Sequence, residues 1–317
     1  MLVDCLRLLG GLIVLVGSAD LFIRGAVRVA RWLGVSPFMI GLTLVGFGTS
    51  APELIVGISS AVQGTPNLSV GNVVGSNIAN IGLILGIAAI ARPLDARMKL
   101  LKVEIPAMIT AMMAAFIFGY DGRYDRDEAA ILLLGFVMMM VFLYWSGRQE
   151  APETKAEIGQ ITQDYTTRPS RAILFVILGF AGLALGADLI VDGAVGLARR
   201  WGMTEAMIGM TILAIGTTLP ELAASVTAAR RGESDVALGN IIGSVLFNIL
   251  LILGTVAMIH PIDLTATPIR IELGVMVGFG LLLLPILLNG LKVHRYEGVF
   301  LVTLYLGFLT WQVLRSV

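Results

Sequence analysis

Cysteine and histidine are almost missing from this chain: Cys5, His260 and His294 are all there is among 317 residues. One thiol excludes an intrachain disulfide and any cysteine-rich metal site, and two imidazoles argue against a zinc or haem centre. Neither a His-Asp-Ser set nor an HExxH motif is present, which ranks an intramembrane enzyme last among the functional readings. Charge is scarce as well, at 14% of residues against about 25% in soluble domains. The 22 basic and 22 acidic side chains cancel, so no basic field points to nucleic acid. What the chain has instead is apolar: 57% hydrophobic residues and 37 glycines, with a mean hydropathy of +0.89. A soluble fold of this size could not cover its surface with so few polar side chains. The composition is that of a polytopic membrane protein whose solvent is the lipid bilayer.

A helix needs about 20 apolar residues to cross a bilayer. Runs of that order lie near 7–30, 37–63, 68–91, 104–121, 128–147, 172–198, 205–230, 236–260, 271–290 and 296–315. They are continuous rather than alternating, which favours helices over a barrel, and helices satisfy their own backbone in lipid. The sequence therefore predicts an all-α integral membrane protein of ten transmembrane helices. Residues 148–171, the one substantial polar stretch, read as a linker between 1–147 and 172–317. Of the Lys and Arg residues, 15 fall in loops after odd-numbered spans and 7 on the opposite side, termini included. The positive-inside rule then puts the central loop in the cytoplasm and both termini outside the cell (inner) membrane. The first apolar run lacks the basic start and small-residue cleavage site of a signal peptide.

A shift of 168 residues lays the second half on the first without a gap. GLTLVGFGTSAPELIVGIS at 41–59 meets GMTILAIGTTLPELAASVT at 209–227, and GNVVGSNIANIGLILG at 71–86 meets GNIIGSVLFNILLILG at 239–254. Across 41–86 there are 19 identities in 46 positions, and nine in 16 between 19–34 and 187–202. Each copy holds five spans, an odd number, so the second enters the membrane upside down. The expected fold is two inverted five-helix repeats. Such repeats build a site near the midplane where the copies meet and permit two mirror-related openings, which favours a transporter over a purely structural bundle.

Only Glu53 and Glu221 sit deep within otherwise uncharged spans, and the shift places one on the other. A carboxylate at the bilayer centre costs at least ~2.5 kcal/mol to insert, so a symmetric pair points to an ion site. Thr49 and Ser50 precede Glu53, and Thr217 and Thr218 precede Glu221, at spacings that share the carboxylate's helical face. Pro52 and Pro220 remove the N–H that would bond the carbonyls of Gly48 and Gly216, so each helix should bend or break there. Asn72, Ser76 and Asn80 line one face of the third span at i, i+4, i+8, and Asn240, Ser244 and Asn248 repeat this in the eighth. Interhelical hydrogen bonding is the simpler role for Asn72 and Asn240. Gly71, Gly75, Gly239 and Gly243 suit close helix approach. The set is all oxygen, without sulfur or imidazole, which suits a hard cation such as Ca²⁺ or Na⁺. Asp20 and Asp188, with Arg24, Arg31 and Arg199 nearby, read as helix-end ion pairs or interfacial anchors, and Glu104 and Glu272 as interfacial residues.

GFGTSAPEL with GNVVGSNIAN, and AIGTTLPEL with GNIIGSVLFN, resemble the two alpha-repeats of the calcium/cation antiporter superfamily, most closely its bacterial sodium/calcium exchanger branch. The resemblance covers essentially the whole chain. It implies ion-ligand roles for Glu53, Thr49, Ser50, Ser76, Asn80, Glu221, Thr217, Thr218, Ser244 and Asn248, with backbone carbonyl ligands at Gly46 and Ala214. It also implies that the first and sixth spans slide across the rest, and Gly10, Gly11, Gly17, Gly179, Gly182 and Gly186 suit a smooth sliding face. Some members of the superfamily carry Asp where this chain has Asn80 or Asn248, which leaves two carboxylates here. The reading reached is an antiporter exporting Ca²⁺ against Na⁺, with no cofactor and no obligate protein partner. A Ca²⁺/H⁺ antiporter and a K⁺-dependent Na⁺/Ca²⁺ exchanger stay open, with a passive cation channel behind them.

Overall fold

A proline two residues into a restarting helix, with Gly-Thr-Ser or Gly-Thr-Thr just before it, cannot carry an unbroken hydrogen-bond ladder. The computed structural model, which describes residues 1–161, 169–200, 214–265 and 269–316, shows the consequence. In chain order its helices are α1 (Leu2–Leu33), α2 (Pro37–Thr49), α3 (Ala51–Val62), α4 (Pro66–Ala91), α5 (Leu100–Asp121) and α6 (Arg126–Ile161). They continue as α7 (Pro169–Arg200), α8 (Ala214–Thr217), α9 (Leu219–Arg231), α10 (Ser234–Ile259), α11 (Arg270–Leu288) and α12 (Arg295–Ser316). Six of the described helices are long and apolar enough to cross a membrane, or seven if α2 and α3 count as one bent span. The fold is nearly all helix, and the protein is a multi-pass membrane protein.

The bend expected at Pro52 is present. Helix α2 stops at Ser50, and α3 leaves at 44° to it. The Ser50 N–H still bonds the Gly46 carbonyl at 3.1 Å, and the Leu54 N–H bonds the Ser50 carbonyl at 3.2 Å. Thr218 interrupts α8 and α9 at the equivalent place, ahead of Pro220. The described part of the seventh expected span begins at Ala214; its residues 205–213 lie outside the description.

Helices α4 and α10 form the centre: 78% and 83% of their apolar windows are buried within the protein, against 28% for α1 and 22% for α7. Both central helices widen into a π-helical stretch, Asn80–Leu85 in α4 and Phe247–Leu253 in α10, at the residues the repeat aligns. Such widening re-aims side chains and leaves backbone groups without their usual partner. Helix α10 lies directly on α2. A methyl group on Gly46 would stand 3.2 Å from the Ser244 amide nitrogen, and one on Gly239 or Gly243 would strike the α2 backbone. The close approach read from Gly239 and Gly243 is thus used; the segment that Gly71 and Gly75 would meet by symmetry is not described.

Two pairs of short strands tie the halves together. Strand β1 (Leu94–Asp95) pairs antiparallel with β4 (Lys292–Val293), and β2 (Arg123–Tyr124) with β3 (Ile262–Asp263). Shifting β1 by 168 residues gives β3, so the two ladders are copies of each other. Each carries an ion pair, Lys292–Asp95 at 2.9 Å and Arg123–Asp263 at 3.6 Å. Thr265 donates both its hydroxyl, at 2.5 Å, and its N–H, at 2.9 Å, to Asp263, and these hydrogen bonds hold the Asp263 carboxyl below its ordinary pKa.

Two readings are corrected. The glycines of α1 and α7 do not form a face toward the rest of the bundle: Gly11, Gly179, Gly182 and Gly186 knit the two helices to each other. A methyl group on Gly179 would lie 2.6 Å from the Phe22 backbone, while Gly10 and Gly17 have open space. Asp4, bonded to Arg200 at 3.0 Å, closes the same seam at one end. Residues 148–161 are helical rather than loop, because Gln149, Glu150, Ala151, Glu153, Lys155, Ala156, Glu157 and Gln160 are strong helix formers. Glu104, at the start of its span, is buried among Ser36, Arg97, Lys99 and Asp235. Asp20 makes the expected helix-end pair with Arg24 at 2.8 Å and also pairs with Arg231 at the end of α9, whereas Asp188 is exposed and makes no ion pair among the described residues.

Candidate ion-binding site

The break before each proline leaves Thr49, Ser50, Thr217 and Thr218 at the end of one helix segment and puts the carboxylate one turn into the next. Glu53 and Glu221 are 1% and 2% exposed, with Thr49, Ser50 and Thr218 buried beside them. The two segments cross. The Ser50 hydroxyl, from the first half, donates to Glu221 Oε1, from the second, at 3.2 Å. Thr49 also lies against Glu221, and Thr217 reciprocates against Glu53.

Second-half Asn240 braces the crossing. Its Nδ2 donates to Ser225 Oγ at 2.8 Å and to the Glu221 carbonyl at 3.4 Å, while its Oδ1 accepts from the Thr49 hydroxyl at 3.2 Å. This is the structural role assigned to it from sequence. Asn72 is only half-buried. Ser76, Asn80, Ser244 and Asn248 are all buried. Ala214 starts α8, and no described contact brings it to the carboxylates.

Seven side-chain oxygens of these residues are buried without a hydrogen-bond partner among the described residues: both of Glu53, Oε2 of Glu221, Oγ of Ser76 and Ser244, and Oδ1 of Asn80 and Asn248. An orphaned buried oxygen costs about 1–3 kcal/mol, more when charged. A group of them is therefore expensive unless something positive completes it. No cluster of three or more His, Cys, Asp or Glu occurs among the described residues. The chemistry on offer is two carboxylates with neutral amide and hydroxyl oxygens, which matches a hard cation and offers nothing to a soft one.

The peripheral helix pair reaches the breaks. A methyl group on Gly48 would stand 3.3 Å from the Phe22 ring of α1, and one on Gly216 would strike Val191 of α7. The bare glycines at the two breaks are what let these side chains seat. Farther along, Phe247 packs against Phe47 and Phe136, each at 5.5 Å between ring centroids. Sequence reasoning missed Asn77, which bonds Asn248; the only trace of it is that the aligned position in the second half, Val245, is apolar.

The family model described as "Sodium/calcium exchanger protein" matches residues 5–145 and 171–314. The chain belongs to the sodium/calcium exchanger family. It is 33% identical to the sodium/calcium exchanger MaX1 of Methanosarcina acetivorans, covering 97% of each chain. It is 39% identical to CaxA of Alkalimonas amylolytica over 97% of this chain and 98% of that one. Among solved structures it is similar to the sodium-calcium exchanger NCX_Mj, crystals of which were soaked with zero Na⁺ and Ca²⁺. That likeness has a TM-score of 0.83 and 30% identity, and it covers 98% of this chain and 99% of the other. Family membership makes this exchanger-family chain a transporter whose business is cation and Ca²⁺ antiport.

Proposed function

We propose that the chain exports Ca²⁺ in exchange for Na⁺ by alternating access at a midplane site between two inverted five-helix repeats. The observation that carries this reading is the crossing of the breaks, Ser50 donating to Glu221 and Thr217 set against Glu53, with seven buried oxygens around it that have no hydrogen-bond partner among the described residues. Glu53, Glu221, Thr49, Ser50, Ser76, Asn80, Thr217, Thr218, Ser244 and Asn248 supply the ligand oxygens, with the Gly46 and Ala214 carbonyls. The ions are cargo, and the chain itself forms and breaks no covalent bond.

Charge decides the loaded state. Ionised Glu53 and Glu221 give the site −2, and Asn80 and Asn248 add nothing. One Ca²⁺ neutralises the site, which makes it the cheapest load to enclose in a low-dielectric interior. Two Na⁺ neutralise it as well, and a third leaves +1. With three Na⁺ per Ca²⁺ the cycle moves one charge, worth about 2.3 kcal/mol per 100 mV, and a polarised cell then drives Ca²⁺ outward.

The moving part is the α1–α7 pair. It is peripheral, stitched to itself through glycines, and seated on the breaks through Phe22 and Val191. The paired strand ladders hold the remaining helices of the two halves as a frame. The E. coli relative YrbG, 36% identical over 82% of this chain, is named an inner membrane protein, and the same membrane is proposed here. Both termini lie outside and residues 150–168 in the cytoplasm, as the basic residues indicate.

The test is ⁴⁵Ca uptake into vesicles driven by outward Na⁺, K⁺ or H⁺ gradients. Uptake that responds to Na⁺ alone supports the reading, and uptake driven by H⁺ or requiring K⁺ replaces it with one of the alternatives. A conductance persisting without a counter-ion gradient means a channel. Clamping the potential with K⁺ and valinomycin, once K⁺ independence is shown, then measures the coupling: a flux indifferent to potential leaves two Na⁺ per Ca²⁺. Cysteines introduced at 150–168 in a Cys5→Ser background should react only from the cytoplasmic side.

A further inference from the structure

Asn80 and Asn248 are equivalent by the repeat, yet only one of them is held. Asn248 Nδ2 donates to Asn77 Oδ1 at 3.1 Å, and Asn77 Nδ2 donates to Met276 Sδ at 3.6 Å. All three residues are at most 1% exposed. The direction of this relay is set by its far end. A thioether has no hydrogen to give and is only an acceptor, so Asn77 must turn its NH₂ to Met276 and its oxygen to Asn248. Asn248 must then answer with its own NH₂, which leaves Oδ1 as the atom turned away from the relay, and that oxygen is buried without a hydrogen-bond partner among the described residues.

The other half lacks the relay. The residues aligned with Asn77 and Met276 are Val245 and Met108, both buried. The methionine is kept and the amide between is replaced by a side chain with no polar atom. Asn80 Oδ1 is buried and unpartnered, but nothing aligned with Asn77 dictates which end of its amide faces inward.

We propose that Asn77 is a positioning residue for cation selection: through Met276 it locks the Asn248 amide with its oxygen toward the ion site, leaving Asn80 as the adaptable amide. This rests on the reading of Asn248 as an ion ligand. An amide shows a cation either an oxygen that binds or an NH₂ that repels, so fixing its orientation removes a competing state from the binding equilibrium.

The experiment is equilibrium ⁴⁵Ca binding to the purified full chain, alongside vesicle exchange. Asn77→Val, which copies the other half, should weaken Ca²⁺ binding about three- to tenfold, the range expected for losing one buried hydrogen bond. Met276→Leu, close in volume, should weaken it about twofold by removing only the acceptor that orients the relay; it also serves if Asn77→Val fails to insert. The deciding arm is the Asn248→Asp background. A carboxylate shows an oxygen in either orientation, so there Asn77→Val should cost less than twofold. An equal loss in both backgrounds means that Asn77 only packs, and unchanged binding in the first background means that it does neither; each overturns the inference. Wild-type protein that binds no Ca²⁺ overturns the ligand reading and this inference together. Wild-type protein that binds Ca²⁺ without exchanging it overturns the transport reading alone, and the variants then decide this one.

Discussion

Glu221 accepts a hydrogen bond from Ser50 across the molecule, while neither oxygen of Glu53 has a hydrogen-bond partner among the described residues. The same unevenness runs outward from the site. Asp20 on α1 is bound to Arg24 and Arg231, but on α7 the residues aligned with Asp20 and Arg24 are Asp188 and Asp192, both exposed, and Gln63 stands where symmetry would put Arg231. What both halves keep is the oxygen set and the break that displays it, because a hard cation needs oxygens at fixed places. What has drifted is the shell that holds those groups and ties α1 and α7 to the other helices. That drift has a physical consequence. Under the proposed alternating-access cycle, a perfectly symmetric duplicate would have inward- and outward-open states of equal energy, and an interaction present in only one half tips the balance when it is made in one state and not in the other.

The comparison is broken most severely at the carboxylates. Glu53→Gln and Glu221→Gln should each abolish Na⁺-driven ⁴⁵Ca uptake in folded, inserted protein, since the charge that would pair with the bound cation and a ligand oxygen are lost together, about 3–5 kcal/mol or more than 100-fold. If one variant transports normally, the two halves are not equivalent partners in the site at all. Next in size are the glycines that face a partner against those that do not. Gly179→Val drives a side chain into the Phe22 backbone and should destabilise by about 1–3 kcal/mol, lowering the melting temperature in detergent. Gly17→Val, with open space around it, should leave the melting temperature unchanged; equal effects would dissolve the distinction.

A smaller effect is expected at the α1–α9 ion pair. Arg231→Gln removes the partner that Asp20 has and Asp188 lacks. Both side chains are about a third exposed, 36% and 32%, so the pair is worth at most about 1 kcal/mol, a shift of up to about fivefold in the balance of inward- and outward-open states. Relative labelling rates of single cysteines near the two ends of α1 would show it, and the wild-type balance should approach that of the variant at high salt. No change in those rates would mean that the pair latches nothing.

The smallest effect separates the two strand ladders by pH. The Asp263 carboxyl is held below its ordinary value of 3.8 by its bonds to Thr265. A depressed carboxyl adds stability that is fully present above the unfolded value and is lost as pH falls through the lower folded one. Wild type should therefore lose stability relative to Asp263→Asn below about pH 4. Melting curves that run parallel from pH 7 to 3 would contradict this.

The breaks at Pro52 and Pro220, the apolar runs and the repeat of Glu53 in Glu221 were legible in the order of residues, because each is a local property: a missing N–H, a run length, a spacing. The same local logic recognised Asn240 as a brace from its place on a helix face. It stopped where partners come from distant chain. Asn77 is adjacent to Ser76 and lies off the face that Ser76 and Asn80 share, so spacing did not mark it. Only the arrival of Asn248, 171 positions away, and of Met276 on another helix turned it toward the site. The glycines of α1 and α7 marked a close contact, but glycine carries no record of what it touches, and only packing showed that the two helices touch each other. Glu104 read as interfacial because its neighbours in sequence are charged; its burial follows from residues of other segments closing over it. Residues 148–161 look like a loop when apolar periodicity is the guide, and helix propensity without that periodicity made them helix. Local chemistry determined where this chain bends and which oxygens it offers. Which of those oxygens are held, and by what, was decided only by tertiary contacts, because a hydrogen bond depends on direction and reach that no sequence spacing records.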